Sequence, residues 1–313
     1  HKASAMVYFS DIGEASRAVV EMRKLQDAAG QRIVHSAEML DRKSLASVGD
    51  TTGEGLTALL TETKAHTPEE LAANVARIGE LLGRFALYTP ARFTDDPAGQ
   101  AKYWAVRSGI FPAVGGSRPP GTTCLIEDVA FHIEDLPRAT AELQALIARH
   151  GYDDACIYGH ALEGNYHFII NQSFSEPTEV ARYEALMNDV AELVVGKYDG
   201  SLKAEHGTGR NMAPFLRREW GDDACAVMRA VKELFDPAGL LNPGVIFNDD
   251  PRCHLSHFKP LPLTDPLIDR CIECGFCEVN CLTCGLTLSS RQRIVVRREI
   301  ARLKASGENP RLV

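Results

Sequence analysis

The chain predicts an α+β fold, an antiparallel sheet with helices on one of its faces. Three observations lead there. Strand-like and helix-like stretches alternate up to about residue 245. The stretches 122–134 and 153–173 are long and carry polar residues at alternate positions, which suits antiparallel strands with one wet face better than buried parallel ones. Hydrophobic residues make up 45% and charged residues 24% of the 313, an ordinary globular composition with length for about two domains.

The elements follow in order. In "ASAMVYFSDIGEASRAVVEMRKLQ" a strand around Val7 and Phe9 gives way to a helix. Asp11 is its cap, Glu14 sits three positions on, and Ala18, Val19, Met22 and Leu25 share one face. "RIVHSAEML" reads as a strand, and Asp41 caps the short helix of "RKSLASV". "LTALLTETKA" is a strand, and Thr67-Pro68-Glu69-Glu70 opens a helix with proline in its first turn. "GTTCLIEDVAFHIEDL" is a strand leading to "PRATAELQALIARHG", a helix ending at Gly151. "DDACIYGH" and "FIINQSF" flank the motif "GHALEGNYH", and "TEVARYEALMNDVAELVVGKYDG" is a further helix. Ferredoxin-like β-α-β pairs are the expected building block, and no internal repeat is visible in the sequence.

Residues 1–247 are read as one domain. Residues 248–266, with four prolines and no period, are read as a linker in which Cys253 and His254 lie in a mobile loop. Residues 267–313 are read as the truncated start of a small helical domain. There "CIECGFCEVNC" spaces Cys271, Cys274, Cys277 and Cys281 as C-x2-C-x2-C-x3-C, the ferredoxin spacing for a 4Fe–4S cluster. Structural zinc sites use two separated C-x2-C pairs instead. Leu282 replaces the usual proline, and Cys284 is left over. Clustered cysteines in a long chain without a signal peptide imply metal and a reducing, cytoplasmic setting. Cys124, Cys156 and Cys225 lie in apolar contexts and are expected as core fillers.

"GHALEGNYH" places His160 and His167 seven apart, and "KAEHGTGRN" sets Glu205 beside His206. Two imidazoles and a carboxylate are a common set for a divalent cation such as Zn2+. Seven is odd, so on one strand the two rings would face opposite ways, and a turn at Gly164-Asn165 is needed to bring them together. Hydrogen-bonded polar residues at a strand end remain the alternative.

"GHALEGNYH", "AEHGTGRNMAPFLRREWG" and "LFDPAGLLNPG" resemble the C-terminal substrate domain of FAD-linked D-2-hydroxyacid dehydrogenases. The added "CIECGFCEVNC" resembles members with a fused iron–sulfur domain. The resemblance covers about residues 5–313. It implies that His160, His167 and Glu205 bind the metal, that His206 is the base, and that Asn242 of "LNPG" lies near the flavin. It also implies a partner domain upstream that holds FAD, without which the chain alone should be inactive. Arg107 and Arg118 are the candidates for gripping the substrate carboxylate, since a guanidinium offers two parallel donors. Ile126 stands where the hydroxyglutarate enzymes carry a lysine, which favours D-lactate over a dicarboxylate. Electrons would leave singly through the cluster to a quinone or other acceptor. A different class also stays open: an electron-transfer subunit with a structural zinc clamp and no catalysis of its own.

Net charge is -8, which argues against nucleic-acid binding. No apolar run approaches the about 20 residues needed to span a bilayer. The basic helix "RQRIVVRREIARLK" leaves room for peripheral contact with the inner membrane or a redox partner. Its Ile294, Val295, Ile300 and Leu303 are expected to pack on the cysteine domain.

Overall fold

Six strands form one antiparallel sheet in the computed structural model, which describes residues 1–50, 55–259 and 261–312. The strands are β1 (Lys2–Phe9), β2 (Ser36–Leu40), β3 (Thr57–Lys64), β4 (Thr123–Ala130), β5 (Cys156–His160) and β6 (Asn165–Gln172), in spatial order β1-β3-β2-β5-β6-β4. The same unit occurs twice. A strand, a helix and an antiparallel pair run through α1 (Ile12–Arg23) in the first half. Between β2 and β3 lies the short α2 (Arg42–Ser47), and α3 (Pro68–Leu82) and α4 (Pro97–Ser117) connect the halves. The second half repeats the unit through α5 (Leu136–Arg149). The halves join where β2 pairs with β5, with Glu38 opposite His160. This repeat of topology is carried by no repeat of sequence.

The expected caps are present. Asp11 accepts from Glu14 N, Asp41 from Ser44 N, and Thr67 forms a capping box with Glu70. Each satisfies donors that the first helical turn would otherwise leave bare.

The expectation of helices on one face is corrected. α1, α3, α5 and α6 (Pro177–Ala191) pack on one face around Val7, Met39, Leu59, Phe168 and Ile170. α4, with α2, covers part of the other face, where Ile110 and Val114 meet Leu40, Leu60, Tyr158 and Ile169. α4 escapes a pattern reading because Pro112 and the glycines of "GIFPAVGG" break the usual helical signal. Adjacent strand residues point to opposite faces, so burial on both sides explains why β3 is buried along nearly all its length.

α7 (Leu216–Phe235) follows and is broken at Gly221, whose φ of 71° is not helical. The segment read as a linker is docked in part. Cys253 and Leu255 are buried, and Phe258 stacks on Phe174 at 3.8 Å between ring centroids. The mobile loop expected at Cys253 and His254 is therefore a packed 3-10 turn; Pro260 of the same segment lies outside the described residues. α8 (Pro266–Asp269) leads into the cysteine loop, and α9 (Ser290–Ala305), capped by Ser289 and Gln292, buries Arg298 and Leu303. No helix among the described residues is long and apolar enough to cross a membrane.

Candidate active site

His160 ends β5 and His167 lies within β6, so the two belong to a hairpin, not to one strand. A 3-10 turn over Ala161–Glu163 and Gly164 at φ 73° reverse the chain between them. Tyr158, two residues before His160 on the same face, is the register partner of His167. Both imidazoles therefore project from the face that α4 covers. Their rings meet edge to face at 5.5 Å.

The loop after Lys203 brings the remaining groups. Glu205 Oε1 lies 3.0 Å from His167 Nε2, 3.3 Å from His160 Nε2 and 3.6 Å from His206 Nε2. The ring of His206 stacks on that of His167, with centroids 4.6 Å apart and planes 4° apart. Two buried carboxylates on β4 hold this loop from opposite faces of the strand. Asp128 Oδ2 accepts from Glu205 N at 2.7 Å and His206 N at 2.8 Å. Glu127 accepts from Lys203 Nζ at 2.7 Å and Asn211 Nδ2 at 2.9 Å.

The electrostatics follow from these contacts. Burial would raise the Asp128 carboxyl. The His167 imidazole and the N–H groups of His206 and Glu205 overcome it and hold the group far below the usual carboxylate range. At 3.4 Å, His167 Nδ1 is a charge neighbour of Asp128 Oδ1 and not a hydrogen-bond partner. His160 Nδ1 meets Glu38 Oε1 at 2.7 Å. That bond, against the opposing effect of burial, raises the affinity of His160 for a proton. Burial, then the nearby His167, lowers that of His206 and keeps its ring neutral more readily.

An ionised carboxylate only accepts, so the neutral His160 carries its hydrogen on Nδ1 and turns the lone pair of Nε2 towards Glu205. A carboxylate oxygen beside the Nε2 lone pair of His160 at 3.3 Å is repelled unless a proton or cation lies between them. The donor set therefore fits a divalent metal. His160, His167 and Glu205 bring their ligand atoms within 4.8 Å of one another. A carboxylate behind a ligating histidine is also how such rings are usually oriented.

Arg107 on α4 joins the site, donating from Nε to Glu38 Oε2 at 2.9 Å with its guanidinium 4.6 Å over the Tyr158 ring. Arg118 does not, and the expectation for it is corrected. Its five N–H groups all bond main-chain carbonyls, those of Gly115, Thr122, Asp269, Arg270 and Cys271, leaving none for a substrate. Asn242 sits at φ 45° in an exposed turn beyond α7, and no contact joins it to the imidazoles among the described residues. All nine cysteines are free. No three cysteine sulfurs come within 4.8 Å of one another among the described residues. Three of the four motif sulfurs do have hydrogen-bond partners: Cys271 receives Glu273 N at 3.3 Å, Cys277 receives Ser290 Oγ at 3.2 Å, and Cys281 meets Thr283 Oγ1 at 3.3 Å. Hydrogen bonds from Thr283 lower the Cys281 thiol to about 7. Sulfurs bonded in this way suit thiolates, and a cubane spreads its thiolates around an inorganic cage, so close sulfur contact is not required.

Residues 1–246 match the C-terminal domain of FAD linked oxidases. The chain belongs to that family. The glycolate oxidase subunit GlcD of Escherichia coli is 31% identical over 211 residues, 66% of this chain and 41% of that protein. A D-2-hydroxyglutarate dehydrogenase of Xanthomonas citri is 34% identical over 152 residues, 47% of this chain and 30% of that protein. A D-lactate dehydrogenase of Anaerostipes hadrus is 28% identical over 152 residues, 49% of this chain and 31% of that protein. The chain thus spans less than half the length of these relatives. A 4-ethylphenol oxidase from Gulosibacter chungangensis shares the fold at a TM-score of 0.54 and 13% identity, over 80% of this chain and 54% of that one.

Within this FAD-linked oxidase domain, Glu38 and Asp128 are the supporting residues that sequence reasoning passed over. Glu38 stands alone among apolar neighbours in "SAEML", and Asp128 stands beside Glu127 in "LIEDVAF"; acids inside such apolar strands are the signal that marks a buried carboxylate with a partner.

Proposed function

We propose that this chain is the substrate-binding part of a flavin-dependent dehydrogenase that oxidises a D-2-hydroxy acid, D-lactate foremost, to the 2-oxo acid. The observation that carries the reading is the convergence of three imidazole nitrogens on Glu205 Oε1. A divalent ion such as Zn2+, held by His160, His167 and Glu205, supplies Lewis-acid polarisation of the substrate hydroxyl. FAD, held mainly by a flavin domain, supplies the acceptor for the hydride leaving C2. A 4Fe–4S cluster on Cys271, Cys274, Cys277 and Cys281 supplies one-electron transfer onward to a quinone or other acceptor.

The chain's own residues do the rest. His206 Nε2 takes the hydroxyl proton, and its neutral ring is the form that can. Asp128 fixes that ring through the loop backbone. Arg107 binds the substrate carboxylate, oriented by Glu38, which also orients His160. Arg118 and Lys203 are engaged elsewhere, so the site offers its main cation once, which favours a monocarboxylate.

The flavin domain would cover the apolar stripe of Val227, Val231, Leu234 and Phe235 on α7, continued by Leu240 and Leu241, all more than half exposed. A stripe of this kind marks an interface, and Asn242 follows it directly. Free thiols throughout suit a cytoplasmic protein, in solution or at the inner face of a membrane.

Anaerobic addition of D-lactate to the chain joined to its flavin domain tests the reading. Bleaching of the flavin band, absent with L-lactate, is the expected result. No bleaching with any D-2-hydroxy acid would leave the zinc-clamp, electron-transfer alternative.

A further inference from the structure

We propose that Arg118 and Arg298 form a two-guanidinium cradle beneath the Cys271 loop, docking the cysteine segment on the sheet domain and making its iron–sulfur cluster easier to reduce. The inference rests on the cluster reading above.

Arg118 comes from the end of α4 and Arg298 from the middle of α9; they are 6% and 4% exposed. Arg118 Nη1 donates to Arg270 O at 2.9 Å, and Nη2 to Asp269 O and Cys271 O, each at 3.1 Å. Arg298 Nη2 donates to the same Cys271 O at 2.7 Å and to Ile268 O at 3.2 Å, while Nη1 meets Glu273 Oε1 at 2.7 Å. Both guanidiniums thus grip the carbonyl of the first cysteine in the motif. The loop also lies hard against α4, since a Cβ on Gly115 would fall 2.5 Å from Ile272 Cδ1.

Among the described ion pairs, the cations around this loop outnumber the carboxylates in direct contact with them. Glu273 faces both Arg298 and Lys259, and Arg118 has no carboxylate in contact among the described residues. Arg298 Nε is a buried N–H with no acceptor among the described residues. Two adjacent buried cations with too few anions are unfavourable unless an anion lies close by. A cluster on cysteine thiolates is such an anion, and the sulfurs beside this loop are where it would sit. Reduction adds one electron and makes the cluster more negative. Nearby positive charge favours that state, and local charge is one of the protein's levers on cluster potential.

The test uses the intact holoenzyme, reconstituted anaerobically with ferrous iron and sulfide. It is titrated with dithionite, which gives one electron per cluster, and the reduced cluster is followed by electron paramagnetic resonance. R298Q and R118Q are expected to lower the reduced-to-oxidised ratio at fixed potential at least tenfold, a fall of about 59 mV for one electron. R298K keeps the charge and should hold the wild-type midpoint. If R298Q fails to retain iron, R118Q decides: a midpoint lowered by about 59 mV supports the cradle, and an unmoved one overturns it. An iron-loaded R298Q with the wild-type midpoint also overturns it, leaving the cluster reading intact. A wild-type enzyme that takes up no iron overturns both.

Discussion

His206 lies flat on His167, ring on ring, with 4.6 Å between centroids. The stack places a neutral imidazole beside the group of ligand atoms without making it one of the closest three. We propose His206 as a base standing next to the metal; its ring nitrogen also lies within ligand distance of Asp128 and His167.

His206→Ala in the intact enzyme is therefore expected to slow flavin reduction by D-lactate by ~10²–10⁴. Stopped-flow absorbance of the flavin band measures it. A wild-type rate would remove His206 from the chemistry.

Glu38 holds His160 and Arg107 at once, with bonds of 2.7 and 2.9 Å. E38Q should weaken binding of the proposed divalent ion by about 10–100-fold, the usual range for a partner behind a metal ligand. It should also raise KM for the hydroxy acid. Chelator competition reads the first effect and steady-state kinetics the second. If neither moves, Glu38 does not organise the site.

Gly164 makes the reversal that unites the two histidines. Its φ is 73°, and an added Cβ would overlap the Phe131 carbonyl oxygen. G164A should destabilise the domain by about 1–3 kcal/mol, read as a lower urea midpoint. A variant as stable as wild type would mean that the turn adapts freely.

The site's ingredients were more legible than their support. Asp11, Asp41 and Thr67 announce their helices because a cap is a local event, settled within four residues. His160, His167, Glu205 and His206 stood out because imidazoles among glycines have little use in a core. Arg107 and Arg118 could not be separated by sequence, since both lie on or just after α4, whose proline and glycines hide it. One guanidinium turns towards the imidazoles and the other towards the cysteine loop. That difference is set by packing with Glu38 and with Cys271, residues far away in sequence. The repeated strand-helix-strand-strand unit was invisible for the same reason, as topology repeats where side chains do not.

The turn that ends at Asn242 depends on Asp236. Lys232 and then the Leu241 N–H, with help from Leu240 N, hold the Asp236 carboxyl at about 2, below its ordinary 3.8. A carboxyl lowered on folding stabilises the fold above its unfolded value and loses that contribution as pH falls through the folded one. D236N should melt earlier than wild type at pH 7, and the gap should close between about pH 4 and pH 2. Thermal melts across that window check it; a gap that persists at pH 2 would mean that ionisation is not what holds the turn.

Metal content of the intact enzyme tests the central claim most directly. Elemental analysis should find a stoichiometric divalent ion other than iron in wild type and its loss from H160A, H167A and E205Q, with iron retained in each. An ion bound equally well by all three variants would contradict the account.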